Sequence, residues 1–352
     1  MVSKEGAEAG HGVFADYDVS DPPPAIKADV WVPPSLEGTT VEKKKMKALM
    51  RRSDIAPLIR LFVCVLSIVL YGWIYCLSWG TIWVIPTVVL FGGTLCLFAY
   101  SASHECAHGT AFKTRWLNEA VFWFSSFLFG IEPIYRRYSH AEHHTYTQFW
   151  GKDAQMPFTV RQKVNLWTYI RWYSAIEYHF VYVRYAVRHA LGNFSARIRK
   201  FTPLSELLPM QRNSIVFVSI WVGVAALSIY FQSMLVVWFY IVPKIVGDMI
   251  MMSIVATQHF EMGEDDLDLT STTRSIRNNW FLELYYWNMS YHIEHHFAPT
   301  VPFHKLPELN AEIKEKLPEA KGVIPITIDI FKAMRKRNLN IEADALKMPT
   351  SR

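Results

Sequence analysis

Four apolar runs, at about 57–78, 81–101, 214–231 and 235–256, constrain this chain more than any other feature. Each is close to the roughly twenty residues needed to cross a bilayer core. A spanning segment with no water around it must satisfy its own backbone, so each run reads as a helix. The first two are joined only by Leu77-Ser78-Trp79-Gly80 and the last two by a link equally short, so the spans pair as two helical hairpins. The chain is 51% hydrophobic, and that content is gathered into the runs, as in membrane proteins.

Lys43-Lys44-Lys45-Met46-Lys47 and Arg51-Arg52 stand just before the first run. By the positive-inside rule they keep the N-terminus cytoplasmic. An even number of crossings then puts both ends, the middle section and the region after the fourth span on that same side. The expectation is an all-α integral membrane protein, with four transmembrane helices as two hairpins and a cytoplasmic, histidine-rich helical cap. Residues 1–50 are expected as a disordered, basic tail, with 1–38 mobile; 51–307 as the membrane domain; and 308–352 as a C-terminal tail. The first fifty residues carry no apolar core of a secretory signal. The net charge of +5 belongs to the flanks of the spans, against anionic lipid, and not to nucleic-acid binding. Cys64, Cys76, Cys96 and Cys106 form no CxxC pair and are expected as free thiols.

Smaller features carry their own expectations. Pro86 lies inside the second run and predicts a kink. The stretch 120–135 is apolar but too short to span and contains Gly130 and Pro133, which suits a re-entrant or interfacial segment. Residues 165–191 mix Trp and Tyr with Arg171, Glu177, Arg184 and Arg188, which suits an amphipathic helix at the membrane surface. Lys244 and Asp248, four apart within the fourth run, suit an ion pair on one helix face or a functional site in the bundle.

Eight of the thirteen histidines fall in three groups: His104-Glu105-Cys106-Ala107-His108, His140-Ala141-Glu142-His143-His144 and His292-Ile293-Glu294-His295-His296. Side chains three or four apart share a helix face, so each group aims at least two imidazoles one way. The adjacent third ring stands about 100° round the helix and reaches the other side of a site. Parity of the spans puts all three groups on one side of the membrane. His259, at the end of the fourth run, is the counterpart of His104 at the end of the second and a further candidate ligand. His11, His179, His189 and His304 stand alone and read as surface or core residues.

Imidazole suits iron, zinc, copper and nickel. Eight or more neutral histidines exceed the needs of one tetrahedral zinc and suit two five- or six-coordinate irons. Glu105, Glu142 and Glu294 are positioned in sequence to accept imidazole N–H groups and orient the rings.

HECAH, HAEHH and HIEHH resemble the three histidine boxes of the membrane fatty acid desaturase and hydroxylase family, over about 57–307. The resemblance implies two irons held by His104, His108, His140, His143, His144, His292, His295 and His296, with His259 matching the extra histidine after the last span. It implies an O2-dependent oxidoreductase that removes hydrogen from an unactivated C–H bond. The expected substrate is a fatty acyl chain or related lipid; the alternative is desaturation or hydroxylation of an amino-acid-derived or terpenoid small molecule. The third box opens with His292 and not with the Gln common in front-end desaturases. No HPGG haem motif occurs, so electrons are expected from a separate ferredoxin, rubredoxin or cytochrome-type donor. A zinc-dependent hydrolase would leave five clustered histidines without a role. A metal transporter would carry its ligands within the spans, along a path.

Overall fold

The computed structural model describes residues 35–36, 39–156 and 164–347. Most of the segment expected as a mobile tail lies outside these. Ser35 and Leu36 do pack: the Ser35 N–H donates to the Leu267 carbonyl, and Leu36 is buried.

The basic helix α1 (Lys43–Leu49) leads into α2 (Ile55–Leu77), the first span, and α3 (Val84–Ala107), the second. α2 shows Phe62, Leu66, Val69 and Trp73 to its surroundings, an apolar surface suited to lipid. α3 is buried from Gly92 to its end and packs against α2 and the fourth span. Pro86 falls in the first turn of α3, where its missing N–H leaves no hydrogen bond unmade, so position accounts for it without the expected kink.

α4 (Arg115–Phe129) folds back along α3, and α5 (Pro133–Thr145) follows after a left-handed turn at Gly130, φ 93°. Glu132 starts α5: its carboxylate accepts the N–H groups of Ile134 and Tyr135, and Pro133 presets the first helical φ. The single surface helix expected over 165–191 is two helices, α6 (Leu166–Tyr173) and α7 (Ile176–Ala190). They break at Ala175, whose φ of 57° no continuous helix tolerates. Both expose apolar side chains, among them Trp167, Ile170, Phe180 and Val187.

After the short α8 (Ala196–Phe201), α9 (Leu204–Tyr230) forms the third span and starts about ten residues before the apolar run. The fourth span, Val237–His259, opens with five residues of π-helix and continues as α10 (Val242–His259). α10 packs chiefly on α3, while α9 packs on α7 and α5. The α3–α10 approach is set by two glycines. A Cβ on Gly247 would lie 1.9 Å from the Gly92 carbonyl oxygen, and one on Gly92 would lie 2.1 Å from that of Pro243. Only hydrogen fits there, as at small-residue crossings of membrane helices.

Beyond α10 come the short helices α11 (Leu269–Thr272), α12 (Trp280–Tyr285) and α13 (His292–Phe297), then α14 (Leu306–Ile313) and α15 (Val323–Lys347). The C-terminal stretch is not a loose tail over these residues. Ile326 and Ile330 are buried, α15 packs on α10, and Arg337 pairs with Glu261. The described residues form no strand, only isolated bridges at Ser35–Asp268 and Ile276–Lys321.

Candidate metal centre

Two groups of four histidines converge at the ends of α3 and α10. One comprises His104, His140, His144 and His295; the other His143, His259, His292 and His296. Within each group the ligand atoms lie within 4.8 Å of one another. Two helices, α5 and α13, and the ends of two spans, α3 and α10, supply both groups, and each HxxHH box divides between them. The neighbouring rings His143 and His144 point to different groups, as do His295 and His296, because one residue turns the helix by about 100°. His108 flanks the first group, its ring 4.7 Å from those of His140 and His144 and 4.9 Å from that of His295. All nine sequence candidates are thus gathered here.

The donor set fits metal ions. Two imidazole nitrogens bound at about 2.1 Å with right-angle spacing are about 3.0 Å apart. The Nε2 atoms of His259 and His292 are 2.8 Å apart, and those of His140 and His144 are 3.1 Å apart. His108 Nε2, His295 Nε2 and His296 Nε2 are buried with no hydrogen-bond partner. Burial, reinforced by neighbouring rings, holds His140, His144, His292, His295 and His296 well below the ordinary histidine pKa. Burial, then Arg136 and His143, takes His108 down to about 3. Neutral rings are the form that binds metal.

Ring orientation is fixed from the far side of several rings. His143 Nδ1 donates to Asp153, 2.9 and 3.0 Å from its two oxygens. His259 Nδ1 donates to the Thr272 carbonyl at 3.1 Å. The Thr147 hydroxyl gives its proton to the His143 carbonyl and so accepts from His296 Nδ1, at 3.1 Å. Each contact leaves Nε2 for the metal side. Burial raises Asp153, but His143 and the N–H groups of Gln155 and Gln148 outweigh it and hold the carboxyl below its ordinary value.

Among the three glutamates considered from sequence, Glu105 faces a box histidine, its Oε1 being 3.3 Å from His295 Nδ1. Its other oxygen accepts the Phe303 N–H at 3.0 Å. Glu294 turns away from the rings and accepts from Ser275 at 2.5 Å and from Asn310. Ser275 also accepts the Ile293 N–H, so Glu294 braces the short helix α13 instead of orienting an imidazole. Glu142 forms no hydrogen bond to a ring; burial and Asp153 lift it to about 7. Asp153 and Thr147 follow α5 in irregular chain and Thr272 ends α11, so only tertiary approach, which sequence does not announce, brings them to the rings.

Of the isolated histidines, His189 is buried among Tyr135, Tyr185 and Phe194. His179 is not a bystander: its Nε2 is 2.6 Å from Asp248, which also pairs with Lys244 at 3.0 Å. The expected i, i+4 pair is therefore a triad linking α10 to α7. A cavity of about 60 Å³ is lined by His104 of the first histidine group and by His143, His259 and His292 of the second. Trp172, Val255 and Phe260 give it an apolar wall, and Tyr100 also lines it.

The sequence profile of the family described as fatty acid desaturase matches residues 81–326. This chain belongs to that family. The matched stretch holds all nine clustered histidines. The Delta(5) fatty acid desaturase fat-4 of Caenorhabditis elegans is 24% identical over 254 residues, covering 65% of this chain and 56% of that protein. The acyl-lipid (9-3)-desaturase of Physcomitrium patens is 24% identical over 243 residues, covering 60% of this chain and 44% of that protein. The chain thus spans about half the length of the curated relatives it matches.

Proposed function

We propose that this protein is an O2-dependent, di-iron membrane oxidoreductase that desaturates a fatty acyl chain or a related lipid. The observation that carries the proposal is the pair of four-histidine groups, open to one shared cavity, at the ends of two apolar helices. His104, His108, His140, His144 and His295 would hold one iron, and His143, His259, His292 and His296 the other. Bound there, the irons supply activation of O2 and removal of hydrogen from a C–H bond. The printed names of both relatives favour an acyl substrate and desaturation over hydroxylation.

The chain's own residues do the remaining work. Asp153, Thr147 and the Thr272 carbonyl hold three rings of the second group in the tautomer that presents Nε2. Trp172, Val255 and Phe260 offer an apolar wall to an alkyl chain and keep bulk water from the centre. Trp172 packs against Phe260 with ring centroids 4.2 Å apart and the rings tilted by 52°, which stiffens that wall.

Lys43–Lys47 before α2 and the even number of spans support a cytoplasmic metal site with both ends on that side. Electrons would arrive there from a separate ferredoxin, rubredoxin or cytochrome-type donor. The test is turnover of acyl substrates by iron-loaded protein under O2 with a ferredoxin system. New double bonds in wild type, lost in His143→Ala and His295→Ala, are expected. Normal turnover in either variant overturns the assignment.

A further inference from the structure

α6 and α7 meet at Ala175 as an open elbow, and a cleft of about 600 Å³ lies in its fold. That volume is in the range of pockets that hold small molecules. Trp167 and Ile170 of α6 and Ile176 and Phe180 of α7 line the cleft, and all four are exposed. The metal centre lies on the other side of α6. Trp172 lines the cavity beside the histidines, while its neighbour Arg171 lines the cleft.

The elbow dips to membrane depth. The end of α6 is level with the end of the fourth span, because the Trp172 and Phe260 rings are 4.2 Å apart. The start of α7 lies deeper, since His179 Nε2 is 2.6 Å from Asp248. Asp248 precedes His259, the last residue of that span, by about three turns, or about 16 Å along α10. Farther on, α7 climbs back toward the level of the histidines. Tyr185 lies 5.2 Å from Tyr135, which precedes His140 by little more than one turn of α5. The cleft therefore opens to lipid, from the acyl region at Phe180 toward the headgroup region at Arg184.

Its charges select among lipids. Arg171 pairs across the elbow with Glu177 at 3.5 Å. Arg184 also lines the cleft and is exposed, flanked by the exposed Phe180, Val183 and Val187. Among the described residues it pairs with no carboxylate. Arg171 and Arg184 outnumber Glu177, so the lining carries a net positive charge. An arginine on a lipid-facing surface lays its stem along apolar groups and extends its head to the polar boundary. There its planar fork matches two oxygens of one phosphate. The apolar lining and the unspent guanidinium thus fit the two halves of one molecule, an acyl chain and a phosphate.

We propose that the α6–α7 elbow binds a phospholipid of the surrounding bilayer, with the phosphate on Arg184 and one acyl chain along Trp167, Ile170 and Phe180. α6 then stands between a bound lipid on one side and the histidine cavity on the other. The site needs no metal, and its test reads binding and not turnover.

The test is equilibrium binding of radiolabelled dioleoyl phosphatidylglycerol, and of dioleoylglycerol, which lacks the phosphate, to the detergent-purified full-length protein. Wild type is expected to bind the phospholipid about tenfold or more tightly, the worth of one charge-assisted pair. Arg184→Gln should lose that preference while binding dioleoylglycerol as wild type does, and Arg184→Lys should keep part of it. Arg188→Gln, one turn on and outside the cleft, should match wild type. Phe180→Ser should weaken both lipids. No preference in wild type, or unchanged phospholipid binding in Arg184→Gln, overturns the proposal. So does an equal loss in Arg184→Gln and Arg188→Gln, which would mark general attraction to a basic surface. Full displacement of the phospholipid by equimolar inorganic phosphate would mark a phosphate site without a lipid and overturns it too, as would undiminished binding of both lipids in Phe180→Ser. Should Arg184→Gln bind neither lipid through misfolding, Arg184→Lys decides: it must still favour the phospholipid.

Discussion

Asp153→Asn is the most informative single change to the metal centre. Asp153 belongs to no histidine box, yet its oxygens lie 2.9 and 3.0 Å from His143 Nδ1. Partners of this kind typically contribute 10–100-fold to metal affinity, about 1.4–2.7 kcal/mol. His143 sits in the second group only, so the loss should fall on one ion of two. The same oxygens accept the N–H groups of Gln155 at 2.8 Å and Gln148 at 2.9 Å. Asparagine must turn its NH2 toward one of those donors, leaving a buried group unmet at about 1–3 kcal/mol. The variant should therefore melt somewhat lower than wild type and, once folded, hold one iron normally and the other weakly. Titration of ferrous iron into stripped protein against a coloured chelator resolves the two classes. Equal weakening of both irons, or two wild-type affinities, would refute the reasoning.

Four further outcomes follow from the packing and the charges. Gly247→Ala forces a Cβ to 1.9 Å from the Gly92 carbonyl oxygen, so it should lower the melting temperature sharply, at a cost of about 3 kcal/mol or more. Gly223→Ala, whose Cβ meets nothing within 4 Å, should be neutral or slightly stabilising by the same thermal assay. Asp248→Ala strands Lys244 in the bundle and should destabilise by about 3–5 kcal/mol, with much of that recovered in the Lys244→Met/Asp248→Ala double variant; equal stability of single and double variants would contradict the triad. Metal-free protein should lose stability as pH falls below 6.5, because the unfolded chain protonates histidines that the fold keeps neutral, His108 down to about 3. Each such ring contributes a slope of about 1.4 kcal/mol per pH unit, and a flat melting temperature between pH 7 and 5 would contradict that sign.

The four spans and the histidines were legible because each rests on a strong local signal. Unbroken hydropathy marks the spans, and i, i+3, i+4 spacing marks the ligand faces. The division of each HxxHH box between two groups follows from the same helical angle. What stayed hidden depends on tertiary approach. Nothing near Gly92 or Gly247 in sequence announces that two backbones touch there. His179 stands alone in sequence and meets Asp248 only because the chain breaks at Ala175 and aims α7 at α10. Glu142 and Glu294 sit beside ligands in sequence, yet that adjacency turns them off the ring-bearing face, and Asp153, ten residues beyond His143, takes the role instead.

The most direct test of the account is the metal content of purified protein, with zinc as control, in wild type, His140→Ala, His292→Ala and the double variant. Two irons per chain in wild type, about one in each single variant and none in the double are predicted from the two histidine groups. One zinc and no iron, persisting after reconstitution with ferrous iron, or two irons retained in the double variant, would contradict it.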